Sequence, residues 1–200
     1  MERIVYIKNY NPPKVDKKEV FRYCKTTANE AANSLLDSCI FEVTDKLSYK
    51  VCYTKVDANA NGDIIDLGFC SINSQSLARC LEGCNEVIIF AATIGVAMDR
   101  LIDKYSIITP SRAVMLQALG SERVEALCDA FCDDMALLEA EQGNIIRPRF
   151  SPGYGDLPLE VQKHIFALLN PTSRIGVTLN EKLFMLPQKS VTAIIGVKKK

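Results

Sequence analysis

A segment rich in proline and glycine, residues 144–158, constrains the fold more than any other part of this 200-residue sequence. It holds three prolines and two glycines within fifteen residues. Because proline has a fixed φ and no N–H, this segment can be neither a helix nor an interior strand. The sequence therefore predicts a loop here, with a long helix before it and a short helix and strands after it.

Hydrophobic periodicity predicts strands and helices in mixed order. Helices are expected near residues 17–37 (N-cap Asp16), from Ser74 or Ser76, from Gly95 to Ser106, at 110–141 (N-cap Thr109) and at 159–169. Strands are expected at residues 4–7, 47–53, 63–70 after an Asn61-Gly62 turn, 86–92, 174–179, 184–186 and 190–197. Gly120 either bends the long helix or permits close packing.

The strands and helices do not alternate as regular βαβ units, so the predicted class is α+β. We expect residues 1–200 to form a single domain with a mostly antiparallel twisted sheet flanked by helices, including one long helix near 110–141.

Composition excludes several function classes. Lys plus Arg and Asp plus Glu are 24 each, so no basic surface is expected for nucleic acid. One histidine, His164, cannot form a metal site that needs two. The longest apolar stretch, residues 87–98, is too short to span a membrane, and no signal peptide is evident. These features predict a cytoplasmic protein.

Eight cysteines lack any CxxC pair, and two pairs, Cys80/Cys84 and Cys128/Cys132, are spaced one helical turn apart. In a reducing compartment, thiols commonly pack as small apolar side chains. Packing is therefore the favoured interpretation, and a metal or redox site is the alternative.

The loop could bind a small ligand. Arg147 and Arg149 could each hold a carboxylate through two hydrogen bonds, and Tyr154 offers a ring face and a hydroxyl. Gly153 and Gly155 let a ligand approach the backbone, but they do not form a dinucleotide fingerprint. The alternative is a surface crossover held by prolines.

Two further candidates have plain structural explanations. Asp129 lies on the polar side of the long helix, opposite an apolar stripe of Val124, Leu127, Phe131, Met135 and Leu138. It is either solvated or paired with a cationic ligand group. His164 is either a partly exposed helix residue or a catalyst.

Several segments together resemble the activation domain of cobalamin-dependent methionine synthase. Residues 149–155 are similar to that family's Arg-Pro-Ala-Pro-Gly-Tyr-Pro motif. Residues 90–93 are similar to its Phe-Ala-Val-Thr, and 124–131 to its Leu-Ala-Glu-Ala-Phe helix. Residues 176–187 and 190–193 are similar to its Gly-x-x-Leu-Thr-Glu-Ser-x-x-Met-x-Pro and Ser-Val-Ser-Gly segments. The resemblance is collinear over residues 86–197, whereas residues 1–85 are divergent.

The resemblance implies binding of S-adenosylmethionine. In the family, this ligand methylates cobalamin that has oxidised to cob(II)alamin, with an electron from flavodoxin or a similar donor. The sulfonium makes the methyl group electrophilic, so the protein chiefly has to orient the reactants. This agrees with a chain that shows no evident acid–base machinery.

The resemblance also implies ligand-binding residues. Arg149 falls on the arginine that meets the ligand's amino-acid end, and Asp129 falls on a glutamate near the ligand. Ser151 replaces an alanine whose backbone touches the ligand, and Gly153 and Tyr154 match the motif. No catalytic residue and no metal ligand is predicted.

This chain departs from the family at several points. Phe150 and Gly155 replace two motif prolines, and a further ligand-binding tyrosine has no counterpart in these residues. Homocysteine, folate and cobalamin modules are not present, nor is the Asp-x-His-x-x-Gly context that binds cobalamin. We therefore expect a free-standing reactivation subunit that acts on a separate cobalamin-bearing methionine synthase or another corrinoid protein. The alternatives are a ligand-binding module without methyl transfer and a cysteine-based metal or redox protein.

Overall fold

The structure, a computed structural model, describes residues 4–200. Its strands are β1 (Tyr6–Tyr10), β2 (Tyr49–Asp57), β3 (Asn59–Asn61), β4 (Ile64–Asp66), β5 (Ser71–Asn73), β6 (Glu86–Thr93), β7 (Asn144–Ile146), β8 (Thr178–Leu179), β9 (Met185–Leu186) and β10 (Ser190–Lys199). Its helices are α1 (Lys17–Cys24), α2 (Glu30–Val43), α3 (Gln75–Cys80), α4 (Ala97–Ile108), α5 (Pro110–Glu141), α6 (Val161–Leu169) and α7 (Pro171–Ile175).

Five strands form the main sheet in the order β1-β2-β6-β10-β7, and every neighbouring pair is antiparallel. At its centre, Phe90 of β6 lies opposite Tyr53 of β2 and opposite Ala193 of β10. Strands β3, β4 and β5 form a small antiparallel sheet, and β8 pairs with β9. The predicted α+β class, with a mostly antiparallel sheet and one long helix, is confirmed.

Both faces of the main sheet are buried, because successive side chains of a strand point to opposite faces. Ile88 and Phe90 pack into a cluster with α1, α2, α4 and α5. Ile89 and Ala91 pack on the other face with α3, α6, α7 and the small sheet. This two-sided burial explains why β6 is apolar along its length instead of alternating.

Helix α5 crosses one face of the sheet and has the predicted bounds, with Pro110 in its first turn. Thr109 occupies the N-cap position, but its side chain makes no capping hydrogen bond. Gly120 permits close packing, because an added Cβ would lie 2.8 Å from Cγ of Met98 and 2.9 Å from Cε of Lys189. The predicted apolar stripe is buried except for Leu138, which is 44% exposed.

The predicted helix at residues 17–37 is wrong, since two helices occupy this region. Asp16 caps α1 as expected, accepting hydrogen bonds from the backbone N–H groups of Lys18 and Glu19. Lys25 then adopts a left-handed conformation, with φ of 52°, and ends the helix. Asn29 caps α2, which continues to Val43, beyond the predicted change to strand periodicity at Phe41.

Several predicted strands have different bounds. The strand predicted at 47–53 is β2, which begins and ends later, and residues 144–146, predicted as part of the loop, form the edge strand β7. The first strand starts at Tyr6 instead of Ile4 and continues to Tyr10, where Asn11-Pro12-Pro13 follows. The strand predicted at 63–70 is limited to β4, which pairs with β3 across the Asn61-Gly62 turn. The strand predicted at 174–179 is limited to β8, because Pro171 starts a short helix that runs to Ile175.

No helix among residues 4–200 is both long enough and apolar enough to cross a membrane.

Candidate functional site

The loop at residues 147–158 runs along the outer side of β10. It follows β7, the edge strand of the main sheet. The N–H of Arg147 donates to the carbonyl of Gly196 at 2.8 Å. Phe150 and Ile194 then exchange two backbone hydrogen bonds, at 2.8 and 2.9 Å. The start of the loop is therefore fixed to the sheet, in agreement with the prediction that it is not an interior strand.

Beyond Phe150 the loop turns back on itself. The N–H of Tyr154 donates to Ser151, and the N–H of Gly153 donates to Leu157, at 3.1 and 2.9 Å. The Tyr154 ring is 70% exposed and meets the Phe150 ring edge-on, with centroids 5.4 Å apart. An exposed ring with one face free can stack on a flat ligand.

The end of the loop is tied to α3. The Asp156 carboxylate accepts hydrogen bonds from the Ser74 hydroxyl at 2.6 Å and from the N–H groups of Gln75 and Ser76 at 2.8 and 3.1 Å. The hydrogen bond from Ser74, followed by those from the first turn of α3, lowers the pKa of Asp156 to about 2. The carboxylate is therefore ionised at neutral pH.

Arg149 points from the loop to α5. Its guanidinium donates to Glu125 at 2.5 Å and also to Asp129, the next acidic residue one helical turn on. Burial by itself would lower the pKa of Arg149, but the hydrogen bond to Asp129 and the surrounding negative charge outweigh it and raise that pKa. One cation thus faces two carboxylates, so the group carries a net negative charge.

The thiols of Cys128 and Cys132 lie beside Arg149 and pack in the core cluster. Burial raises the pKa of both thiols, and the neighbouring guanidinium offsets this only in part. They are therefore protonated at neutral pH and act as packing groups. All eight cysteines are free, and residues 4–200 contain no group of three or more His, Cys, Asp or Glu side chains that could hold a metal.

A cleft of about 550 Å³ lies between α5 and the segment that leads into α1. Its lining contains only two cationic side chains among the described residues, Arg149 and Lys14. It contains six carboxylates, those of Asp16, Glu19, Glu122, Glu125, Asp129 and Asp133. The acidic lining favours a cationic ligand, because opposite charges attract more strongly in a partly enclosed site than in bulk water. We refer to this concavity as the acidic cleft.

A second part of the cleft wall is held by a buried ion pair, Glu122 and Arg123, which are 4% and 2% exposed. Arg123 donates to the carbonyls of Pro13 and Lys14 at 2.5 and 2.8 Å. Glu122 accepts from the N–H of Asp16 at 2.9 Å. The pair therefore fixes the segment at residues 13–16 against α5 and shapes the cleft.

The structure brings together only some of the predicted ligand residues. Arg149 and Asp129 contact each other and line the acidic cleft. Ser151, Gly153 and Tyr154 lie along the adjoining loop, outside the cleft lining. His164 is exposed on α6 and has no place in this site.

Glu122, Arg123 and the contribution of α1 to the cleft were not predicted from the sequence. The available signal was a Glu-Arg pair on the apolar side of α5, between Leu119 and Val124. Such charges inside an apolar stripe indicate a buried pair with a specific partner.

The chain is similar to known proteins in two respects, a family sequence pattern and the fold. A family model described as "Vitamin B12 dependent methionine synthase, activation domain" matches residues 77–200. No curated protein sequence matches the chain. A solved structure, "Crystal Structure of the MetH Reactivation Domain bound to AdoHcy", matches with a TM-score of 0.70 and 16% identity, over 98% of this chain and 78% of that one. At this identity the structural match shows a shared fold.

Proposed function

The chain belongs to the activation-domain family of vitamin B12-dependent methionine synthase, and we propose that it binds S-adenosylmethionine and presents the methyl group to cobalamin on a separate protein. The observation that carries the proposal is the acidic cleft beside Arg149, at the start of the loop that resembles the family motif. A relative with the same fold has been solved with S-adenosylhomocysteine, the demethylated form of this ligand.

The charges of the cleft suit this ligand. S-adenosylmethionine carries a sulfonium, an ammonium and a carboxylate at neutral pH, so its net charge is positive. The carboxylates of the cleft outnumber its cationic side chains, so their net charge attracts the two cationic groups of the ligand. In the demethylated product the sulfur is neutral, so its attraction to the cleft is weaker, which favours product release.

Arg149 and its two acidic partners supply a way to bind the amino-acid end. A guanidinium has five N–H groups, and Arg149 uses two of them in its hydrogen bonds to Glu125 and Asp129. The ligand carboxylate would accept hydrogen bonds from the remaining N–H groups. The ligand ammonium would pair with Asp129, whose side chain is 66% exposed. We propose that Ser151, Gly153 and Tyr154 contact the rest of the ligand from the loop.

The protein's own part in the reaction is orientation. When bound to its partner, cobalamin supplies the cobalt that accepts the methyl group, while the sulfonium sulfur keeps the electron pair of the broken bond. The groups around the ligand hold the methyl group toward the open side of the cleft, which is catalysis by proximity. An external reductant, such as a flavodoxin-like protein, would supply the electron.

Calorimetric titration with S-adenosylmethionine tests the binding step. We expect the wild type to bind and Arg149→Ala to bind at least about tenfold more weakly, a loss of about 1.4 kcal/mol. Arg100→Ala, which removes an exposed arginine of α4 outside the cleft, is the matched control. Equal affinity in the two variants would contradict the assigned role of Arg149.

Transfer of a labelled methyl group tests the second step. The protein is mixed with a cobalamin-bearing methionine synthase that lacks its own activation domain, together with a reductant and labelled S-adenosylmethionine. We expect label on the cobalamin only when this chain is present. Binding without transfer would indicate a ligand-binding module instead.

A further inference from the structure

The loop at residues 147–158 cannot use the prolines of the family motif. At the first such position, the N–H of Phe150 donates to Ile194 at 2.8 Å, a bond that proline cannot make. At the second, Gly155 has φ of 58°, whereas proline is fixed near −65°. At these two positions the loop must therefore be held in its shape by something other than a proline ring.

Asp156 provides the hydrogen bonds that hold the far end of the loop. Its two carboxylate oxygens together accept from Ser74, Gln75 and Ser76, three consecutive residues at the start of α3. Ser74 is itself 2% exposed and caps α3, because its hydroxyl oxygen accepts a hydrogen bond from the N–H of Leu77 at 3.1 Å. Asp156 therefore attaches the loop to the start of α3. This helix is itself fixed, because its Leu77 packs in the core on the same face of the main sheet as Ile89 and Ala91.

The neighbouring backbone fits this attachment closely. A Cβ added at Gly155 would lie 3.0 Å from the Ser76 hydroxyl oxygen and 3.2 Å from its Cβ. The absence of a side chain at Gly155 lets the loop lie against α3 at the distance that the Asp156 hydrogen bonds require. The loop is then held at both ends, by β10 at Phe150 and by α3 at Asp156.

We propose that Asp156 is the positioning residue of the ligand loop, supplying through three hydrogen bonds the order that two prolines supply in the family motif. The proposal rests on the proposed function, in which Tyr154 and Arg149 contact the ligand. Asp156 does not touch the ligand; it keeps the loop in its binding conformation and so reduces the entropy lost on binding.

Hydrogen exchange and ligand titration of Asp156→Ala together test this role. We expect the amides of Gly153 and Leu157, which are hydrogen-bonded within the loop, to exchange about tenfold faster. If the ordered loop population falls about tenfold, the Kd for S-adenosylmethionine rises about tenfold. The amide of Phe150, bonded to β10, should keep its wild-type exchange rate and so shows that the sheet is intact.

Asp66→Ala is the matched control. Asp66 is also an exposed aspartate whose carboxylate accepts from a backbone N–H, that of Gly68 at 2.8 Å, but it lies in another turn. Its loss should leave both loop exchange and affinity unchanged.

The outcomes separate the two proposals. Unchanged loop exchange in Asp156→Ala would overturn the positioning role, whether or not the ligand binds. A nearly complete loss of loop protection with wild-type affinity would also overturn it, since loop order would then not matter for binding. A wild type that does not bind S-adenosylmethionine would overturn the proposed function, and the exchange rates would still decide whether Asp156 orders the loop.

Discussion

Two arginine–carboxylate groups lie at the acidic cleft, and they differ in burial. The side chains of Arg123 and Glu122 are 2% and 5% exposed, whereas those of Arg149 and Asp129 are 24% and 66% exposed. The buried group holds backbone carbonyls, and the exposed group holds only side chains. The same pair of functional groups thus serves structure in one place and is open to a ligand in the other.

Burial explains this difference in energetic terms. Breaking a buried pair leaves an uncompensated charge away from water, which is strongly destabilising. A partly exposed pair contributes less to stability, because water solvates its exposed member, here Asp129, once the two side chains separate. A ligand can therefore replace the contacts of Arg149 at lower cost than those of Arg123.

The largest effect is expected from Arg123→Met. The variant keeps the volume but leaves Glu122 buried without its partner, so the free energy of unfolding should fall by about 3–5 kcal/mol. Urea denaturation measures this loss, with Arg100→Met on the surface of α4 as the control. The double variant Glu122→Leu/Arg123→Met should recover part of the loss. A single variant as stable as the wild type would show that the pair does not hold the cleft wall.

A smaller effect is expected from Asp129→Asn. Loss of this carboxylate should weaken S-adenosylmethionine binding by about tenfold, or about 1.4 kcal/mol. S-adenosylhomocysteine should lose about as much, because it carries the same ammonium, the group that pairs with Asp129 in the proposed complex. Calorimetry with both ligands measures the two losses, and Asp103→Asn on α4 serves as control. A loss for S-adenosylmethionine alone would argue against pairing of Asp129 with the ammonium.

Salt should have a still smaller effect on the affinity of the acidic cleft for S-adenosylmethionine. Raising NaCl from about 0.05 M to about 0.5 M screens exposed charges, so the Kd for S-adenosylmethionine should rise about threefold. A titration series at constant pH measures this. An affinity that does not change with salt would indicate that the ligand binds without using the carboxylates of the cleft.

The smallest effect is expected from pH on the Asp156 attachment. The pKa of this carboxyl is lowered from 3.8 to about 2 in the folded protein. Because the pKa is lower in the folded state, the ionised carboxylate stabilises the loop at every pH above the unfolded pKa. This stabilisation is lost as the pH falls through the folded pKa. Loop exchange, corrected for its intrinsic pH dependence, should therefore stay constant from about pH 8 to about pH 5. A change within that range would assign loop order to another group.

Part of the candidate site could be predicted because its signals are local. Arg149, Gly153 and Tyr154 belong to one short motif, and the carboxylates of α5 follow from helical spacing. The contact of Arg149 with Asp129 could be expected only from the family resemblance, since 20 residues separate them. The role of Glu122 and Arg123 was missed because charged residues are usually assigned to the surface.

The fold shows the same division. Asp16 and the Asn61-Gly62 turn could be predicted, because capping and turn formation depend on a few neighbouring residues. Ser74, the N-cap of α3, was one of two serines that the sequence offered. The break between α1 and α2 was missed. Lys25 adopts a left-handed conformation there without a glycine or proline to mark it, so tertiary packing overrode local propensity.

The sequence by itself determined the long helix, the central strands, the fold class and the loop that carries the family motif, because these depend on periodicity and on local backbone preferences. The tertiary structure alone decided the acidic cleft. Its walls come from α1, α5 and the loop, and one of its contacts joins residues 106 positions apart. Such distant residues meet because both faces of the main sheet must be buried, and that requirement is a property of the whole chain.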